Sequence, residues 1–346
     1  MDGRCQGRRW GCCSMKTCTL NCTIISPMFS AGNRRPELRP SELKGLMRYM
    51  YRAAILETDT KKLYKLESKY FGNAEKIASP VRLQFKPPTV PATRQKFLLH
   101  RKERTNNEQD GFRHDTTFEL VIRTRHNNDK DSKKYPDIKE YEEWLALSLV
   151  LGGMGKRTRR GRGCVALDEQ HSVPKEKLLT WIAEKLNEWN HKAGITNGAV
   201  CGDFPYRVID DHTIETAETV NLNGFCRPVI EKIILGKEIK EIGGFLERVD
   251  KASHRIKKEF DPPKKRFATG FAGKDCYIRE TGTSRFASSV IVSVTRTADQ
   301  ILLPVYTYVK AVYQKDNQKD DQKNGAFDTD YEERNEFISI IEGGNY

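Results

Sequence analysis

The chain has 346 residues, of which 37% are hydrophobic, and this is enough for two domains with cores of their own. Its formal net charge of +13 at pH 7 favours an anionic partner, and no apolar run is long enough for a membrane span. The nine cysteines show neither a disulfide framework nor metal-ligand spacing, so we expect reduced thiols in a cytoplasmic protein.

Two features are expected at the N-terminal end. Residues 1–14 are basic but lack the apolar core of a signal peptide, and we expect them to be a disordered extension. A strand is predicted over residues 18–25, where side chains alternate between two faces. Cys18 and Cys22 share the face that points to the core.

The next predicted element is a helix with a basic row. It begins after Ser41, a plausible N-cap, and runs to about Glu57. Lys44, Arg48 and Arg52 recur every four residues, so their side chains stack on one face, and no carboxylate stands at a matching offset. Since uncompensated like charges are unfavourable at this spacing, we expect phosphate to offset them. The alternative is a solvated face.

Extended segments and polar loops follow. Strands are predicted over residues 81–85, 97–100 and 116–125, and the last alternates apolar and polar positions well. Residues 101–114 and 126–135 are charged and are expected to be exposed loops or insertions.

A basic glycine loop then lies between a predicted helix over 138–151 and a predicted short strand over 164–167. It holds the glycines Gly152, Gly153, Gly155, Gly161 and Gly163 and the cations Lys156, Arg157, Arg159, Arg160 and Arg162. Glycine lets the backbone approach a ligand closely, and the planar arginine fork matches phosphate oxygens. The loop is therefore expected to bind a polyanion, with RNA or DNA as the first candidate; the alternative is an ordinary solvated turn.

Spacing excludes a nucleotide-hydrolase phosphate loop. Val150 stands where that loop needs glycine, and Arg157 stands where it needs Ser or Thr. That loop also follows a strand, whereas this one follows a predicted helix.

The first half thus has the order strand, helix, strands, helix, strand, which is typical of the α+β ferredoxin-like, or RRM-like, βαββαβ arrangement. In the second half, helices are predicted after Pro174 and after Pro228 and over 331–341, and strands over 290–295 and 303–313. A polar loop at 314–324 is too charged to join a core.

Catalytic groupings are missing from the sequence. The seven histidines are scattered, and Asp210-Asp211-His212 is the one compact acidic group with histidine. No nucleophile elbow or zinc-protease helix motif occurs. We therefore expect a binding protein without a cofactor, a metal or a small-molecule substrate.

Four segments carry a family resemblance. They are residues 26–32 (SPMFSAG), 38–52 (LRPSELKGLMRYMYR), Tyr70-Phe71-Gly72 and the basic glycine loop. Their order and their amino-acid sequences resemble those of RAMP superfamily proteins of CRISPR effector complexes, most nearly subunit one of the type III-B (Cmr) complex. The resemblance covers the first 170 residues well, and 285–289 (RFASS) looks like a weak second copy of the pattern.

The resemblance implies two ferredoxin-like domains with inserted loops, here 15–171 and 172–346. It also implies a non-catalytic subunit that helps to capture target RNA near the guide RNA 3′ end, with guide RNA, target RNA and other RAMP subunits as partners. The RNA-binding residues that it implies are Arg39, Lys44, Arg48, Arg52, Lys156, Arg157, Arg159, Arg160 and Arg162. Two alternatives stay open, namely a metal-independent endoribonuclease that processes CRISPR RNA and a purely structural subunit.

Overall fold

The computed structural model describes residues 15–32, 35–100, 107–125, 136–195, 204–259, 268–272, 285–314, 324–326 and 331–343. The predicted extension at 1–14, the polar segments 101–106 and 126–135, and residues 315–323 of the polar loop lie outside this part of the chain.

The first half builds a four-stranded antiparallel sheet. Its strands are β1 (Met15–Ile24), β2 (Val81–Phe85), β3 (Thr117–Arg125) and β4 (Val165–Leu167), in the order β2-β3-β1-β4. Its helices are α1 (Pro40–Ala54), α2 (Thr60–Phe71) and α3 (Ile138–Leu151). Alternation along β1 turns Leu20, Cys22 and Ile24 into the core, as the sequence predicted, while Cys18 is partly buried.

The second half builds a five-stranded antiparallel sheet. Its strands are β5 (Tyr206–Val208), β6 (Thr213–Thr216), β7 (Ile230–Leu235), β8 (Val290–Arg296) and β9 (Leu302–Val309), in the order β8-β9-β7-β6-β5. Its helices are α4 (Lys175–Lys192), α5 (Ile242–Glu259) and α6 (Tyr331–Ile341). The mixture of helices and antiparallel sheets confirms the α+β class.

Short elements complete the described part of the chain. The two-stranded pieces are Ala31–Gly32 with Arg35–Pro36, Thr93–Lys96 with Glu108–Gly111, Phe271–Ala272 with Arg285–Phe286, and Val312–Gln314 with Asn324–Ala326. Two 3₁₀ turns cover Glu169–His171 and Leu222–Gly224. No described helix is long and apolar enough to cross a membrane.

Helix α3 lies between the two sheets, and this position accounts for its apolar composition. It is apolar on nearly every side, and it packs against α1, β4, β8 and β9. The ring of Trp144 on α3 lies 4.7 Å from the ring of Trp189 on α4 and 5.6 Å from that of Tyr51 on α1, measured between centroids. One hydrophobic core therefore joins the first half to the second.

Both ends of the first predicted helix differ from the prediction. Ser41 is not its N-cap, because the helix starts at Pro40 and Arg39 occupies the cap without a side-chain hydrogen bond. Proline suits this first helical position, since its fixed φ is helical and it has no N–H to satisfy. At the other end, the Arg227 guanidinium binds the carbonyl oxygens of Arg52 and Ile55, and the helix ends at Ala54.

Three further predictions need correction. The helix expected after Pro228 is strand β7, whose isoleucines pair with β9 in the middle of a sheet. Residues 97–100 are not extended, because the Leu98 N–H binds the side chain of Asn107 and the chain turns. The strand expected over 303–313 is two strands, because Leu302–Val309 pairs with β7 whereas Val312–Gln314 pairs with Asn324–Ala326.

Candidate nucleic-acid interface

The basic glycine loop, residues 152–163, joins α3 to β4, so the predicted order of helix, loop and strand is confirmed. Backbone hydrogen bonds fasten it to both halves of the protein. The Lys156 N–H binds the Phe29 carbonyl at 3.0 Å, and the Gly161 N–H binds the Val292 carbonyl at 2.8 Å. The loop thereby covers the outer edge of β8, which would otherwise expose unpaired backbone groups.

Two glycines of the loop are required by the protein itself. Gly163 has φ +69°, and a Cβ there would lie 1.8 Å from the Met154 carbonyl oxygen. A Cβ on Gly153 would lie 2.6 Å from the Arg162 carbonyl oxygen. The loop thus folds tightly on itself, which is a structural reason for glycine that the sequence did not reveal.

Two of the predicted RNA-binding arginines are interior. Arg162 is 1% exposed, and Arg160 is 7% exposed. The Arg160 guanidinium donates to the Ser288 hydroxyl at 2.9 Å and to the Thr269 carbonyl, and burial lowers its pKa to about 9. Because their guanidinium groups are buried and bind protein acceptors, Arg160 and Arg162 fasten the loop to the rest of the protein, and their contact with RNA stays a prediction.

A buried carboxylate that the sequence reading missed holds two of these cations. Asp250 on α5 is 1% exposed and accepts from Arg162 Nη2 and Arg157 Nη2, each at 2.8 Å. It also accepts from the Leu99 N–H at 2.8 Å. Charged partners on both oxygens are what a buried carboxylate needs, so Asp250 joins the loop to the second half.

The remaining cations face outward to different degrees. Lys156 is exposed. Arg159 is half-buried, with its guanidinium 5.0 Å from the centre of the Tyr49 ring, and it also binds the Ser288 carbonyl. Arg157 keeps a quarter of its side chain exposed, and Arg39, at the start of α1, keeps 43% exposed.

A groove lies between α1 and the loop; we call it the α1–loop groove. Its volume is about 290 Å³. It is lined by Glu42, Gly45, Leu46, Tyr49 and Met50 of α1, by Gly152, Gly153, Met154, Gly155, Thr158 and Arg159 of the loop, and by Ile291 of β8. Its walls combine apolar side chains, one aromatic ring, one guanidinium, the Glu42 carboxylate, the Thr158 hydroxyl and bare glycine backbone.

The basic row on α1 does not line this groove. Glu67 of α2, which the sequence gave no reason to place there, accepts from Arg52 Nη2 at 2.9 Å and lies 3.3 Å from Arg48 Nη1. Lys44 binds the Ser79 hydroxyl and the Val81 carbonyl. The expectation that the row lacks a carboxylate partner is therefore wrong, because a second helix supplies one. The hydrogen bonding that Arg52 donates to the Glu67 carboxylate also raises the pKa of Arg52.

Among the described residues, no three His, Cys, Asp or Glu side chains gather as potential metal ligands. The four described cysteines, Cys18, Cys22, Cys164 and Cys226, are free thiols. Burial raises the pKa of Cys22 to about 12, so this thiol is kept neutral in the core.

Residues 21–166 match the family model described as the RAMP superfamily. This part of the chain is therefore similar to RAMP superfamily proteins. The matched residues run from β1 to β4, and so they include α1 and the basic glycine loop. Both sides of the α1–loop groove, apart from Ile291, thus lie within the matched segment.

Solved structures extend the likeness to the whole chain. The crystal structure of Cmr1 from Pyrococcus furiosus in its apo form is 15% identical, with a TM-score of 0.52, and the alignment covers 95% of this chain and 96% of that chain. A chain in the cryo-EM structure of type III-B Cmr-beta bound to cognate target RNA and AMPPnP is 12% identical, with a TM-score of 0.50, over 93% of this chain and 98% of that one. At these identities the likeness shows a shared fold. No curated protein sequence matches the chain.

Proposed function

We propose that the chain is a non-catalytic RNA-binding RAMP subunit of a type III-B CRISPR effector complex, acting in the cytoplasm. The α1–loop groove carries this proposal, because Arg159 lines it beside bare glycine backbone and the exposed Lys156 follows Gly155 in the same loop, all within the segment that matches the RAMP superfamily. In the proposed role the subunit helps to capture target RNA near the guide RNA 3′ end, beside other RAMP subunits. The fold shared with Cmr1 and with a chain of the RNA-bound Cmr-beta complex supports it.

The proposed fold detail is two ferredoxin-like units. The first follows β1, α1, β2, β3, α3 and β4, with α2 added. The second follows β7, α5, β8, β9 and α6, and β6 takes the sheet position beside β7 that β4 takes beside β1. In the first unit the strand beside β1 is β4, which comes last in the chain, whereas in the second unit the strand beside β7 is β6, which comes first. The second unit is therefore proposed as a rearranged version of the first. The predicted boundary between 171 and 172 remains a proposal.

The proposed RNA contacts are those cations of the predicted set that keep exposed guanidinium or ammonium surface near the loop: Arg39, Lys156, Arg157 and Arg159. The row of Lys44, Arg48 and Arg52 is proposed as a secondary site at most, because α2 and the Ser79–Val81 segment already supply its partners. Phosphate contacts of this kind position an RNA strand without reading its sequence, which base pairing with the guide would supply.

Salt dependence of RNA binding tests the proposal. If these four cations neutralise about four phosphates, the log–log slope of single-stranded RNA affinity against salt should be near −3, from about 0.7 per phosphate. The double variant Lys156→Ala/Arg159→Ala should reduce the slope by about 1.4. The variant Lys61→Ala/Lys65→Ala removes the same charge from the exposed side of α2 and should leave the slope near its original value. A flat salt response of the unmodified protein would overturn the proposed function.

A further inference from the structure

Gly45 is the glycine of the α1–loop groove that the protein itself does not require. It lies in the interior of α1, its position is exposed, and a Cβ built on it meets nothing within 4 Å. Glycine in a helix interior is unfavourable relative to alanine, because it loses more backbone freedom on folding. Gly153 and Gly155 of the same groove have backbone neighbours that a Cβ would approach to within 3.0 Å, whereas Gly45 faces open space.

Because Gly45 has no side chain, a ligand in the groove can approach the backbone of α1 at this position. Gly45 is four residues from Tyr49, so the two share a face of α1, and both line the groove. The volume of about 290 Å³ is close to the lower end of small-molecule sites, which span roughly 300–1,000 Å³. It suits one flat group better than a helix or an extended peptide.

The lining decides which chemical group fits. Leu46, Met50 and Ile291 are apolar, so they offer a phosphate neither a hydrogen-bond donor nor a positive charge. The Tyr49 ring and the Arg159 guanidinium, stacked 5.0 Å apart, are the two kinds of planar surface on which unpaired bases stack. Lys156 follows Gly155 of the groove directly and is exposed, so a phosphate next to that base would have a cation within the same loop.

We infer that the α1–loop groove takes the base of one unpaired RNA nucleotide, and that Gly45 keeps the groove open for it. This inference rests on the proposed RNA binding and adds a single-nucleotide pocket to a contact otherwise made through phosphates. The base enters beside Gly45 and stacks on the Tyr49–Arg159 pair. The strand's phosphates then pass along the rim of the loop.

Two substitutions at one position test the pocket. Gly45→Leu places an apolar side chain in the groove from a Cβ that has open space around it, and Gly45→Ala is the matched control that changes the helix but leaves most of the space. We expect Gly45→Leu to weaken single-stranded RNA binding by about 5- to 150-fold, which corresponds to one lost base stack. Gly45→Ala should bind within about twofold of the unmodified protein, and the salt slope should be the same for all three, because the phosphate contacts are kept.

A second measurement uses the unmodified chain, so it does not depend on how the variants fold. Binding is compared for single-stranded RNAs that each carry one abasic site at a different position. The abasic site at one of these positions should weaken binding by a factor similar to that of Gly45→Leu. If the unmodified protein binds RNA with a steep salt slope, but Gly45→Leu and every abasic RNA bind within twofold, the pocket is refuted and the proposed function stands. If Gly45→Leu keeps RNA affinity and loses assembly with other subunits, the groove holds a protein side chain and the inference is wrong. If the unmodified protein binds no RNA, the proposed function fails first and the pocket falls with it.

Discussion

The carboxylate of Asp250 and the guanidinium of Arg162 form a hydrogen-bonded ion pair of 2.8 Å, and both side chains are at most 1% exposed. The two residues belong to different halves of the protein, since Asp250 lies on α5 and Arg162 lies near the end of the basic glycine loop. The pair therefore fixes the loop against the second sheet and its helix. Arg157, on the second carboxylate oxygen, is held beside the Phe97 ring with a quarter of its side chain exposed.

Removing the Asp250 carboxylate should destabilise the fold strongly. Asp250→Ala leaves Arg162 as an unpaired buried cation, and such a change costs about 3–5 kcal/mol. Asp250→Asn keeps an acceptor and should lose less, about 1–3 kcal/mol. Urea unfolding measures both. Asp211→Ala removes an exposed carboxylate and should stay within about 0.5 kcal/mol of the unmodified protein. Equal stability of Asp250→Ala and Asp211→Ala would contradict the structural role of Asp250.

The sequence predicted local elements well, because their signals are local. The helix over 138–151 and the loop after it were found from apolar spacing and from a double glycine. Strand β2 and helix α6 were also placed correctly. The resemblance of the first 170 residues to RAMP proteins agrees with the family match over 21–166.

The partners of the basic residues were not predicted, because they lie far away along the chain. Asp250 follows Arg162 by 88 residues, and Glu67 follows Arg52 by 15. A usable signal did exist in each case. Glu67 shares the buried face of α2 with Leu63, and Asp250 shares that of α5 with Leu246. A carboxylate on an apolar helix stripe needs a cation from elsewhere, and the basic segments were the available source.

Glu67→Gln should separate a structural role of the α1 row from an RNA-binding role. Glu67 is 4% exposed in its side chain and serves both Arg48 and Arg52, so loss of its charge should cost about 1–3 kcal/mol in urea unfolding. RNA affinity should stay within about twofold, because the row faces α2 and not the groove. Glu184→Gln, at an exposed position of α4, is the control for the loss of one negative charge. If only Glu67→Gln raises RNA affinity, the freed arginines bind phosphate and the row is an RNA site after all.

Gly163→Ala should disrupt the basic glycine loop far more than another glycine with the same kind of backbone. Gly163 combines φ +69° with a Cβ position 1.8 Å from the Met154 carbonyl oxygen, whereas Gly194 has φ +75° and open space. Left-handed backbone costs a non-glycine residue roughly 1–2 kcal/mol, and that is all we expect for Gly194→Ala. The added clash in the packed loop should bring Gly163→Ala to about 3 kcal/mol or more. Thermal or urea unfolding of the two variants, compared directly, gives the cost of the clash; equal losses would show that the loop moves aside freely.

Lys44 should make stability depend on pH in the alkaline range. Burial first, and the nearby Arg48 cation second, lower the pKa of Lys44 to about 8, below the ordinary lysine value of about 10.4. Below pH 8 the lysine is charged in the folded and the unfolded protein, so the folded state carries the whole unfavourable effect of holding that charge. Between the two pKa values the unfolded chain binds the proton and the folded protein does not, and stability therefore rises with pH.

Lys44→Met tests this behaviour, since it removes the charge and keeps the length of the side chain. The stability difference between Lys44→Met and the unmodified protein should favour Lys44→Met most at pH 7, shrink as the pH rises above 8, and level off above about 10.4. Urea unfolding at closely spaced pH values measures it, and Lys65→Met, at an exposed position of α2, corrects for the loss of one surface cation. If the difference between Lys44→Met and the unmodified protein is constant from pH 7 to pH 10, Lys44 is not held in a desolvated site. The Ser79 and Val81 contacts would then compensate its charge fully.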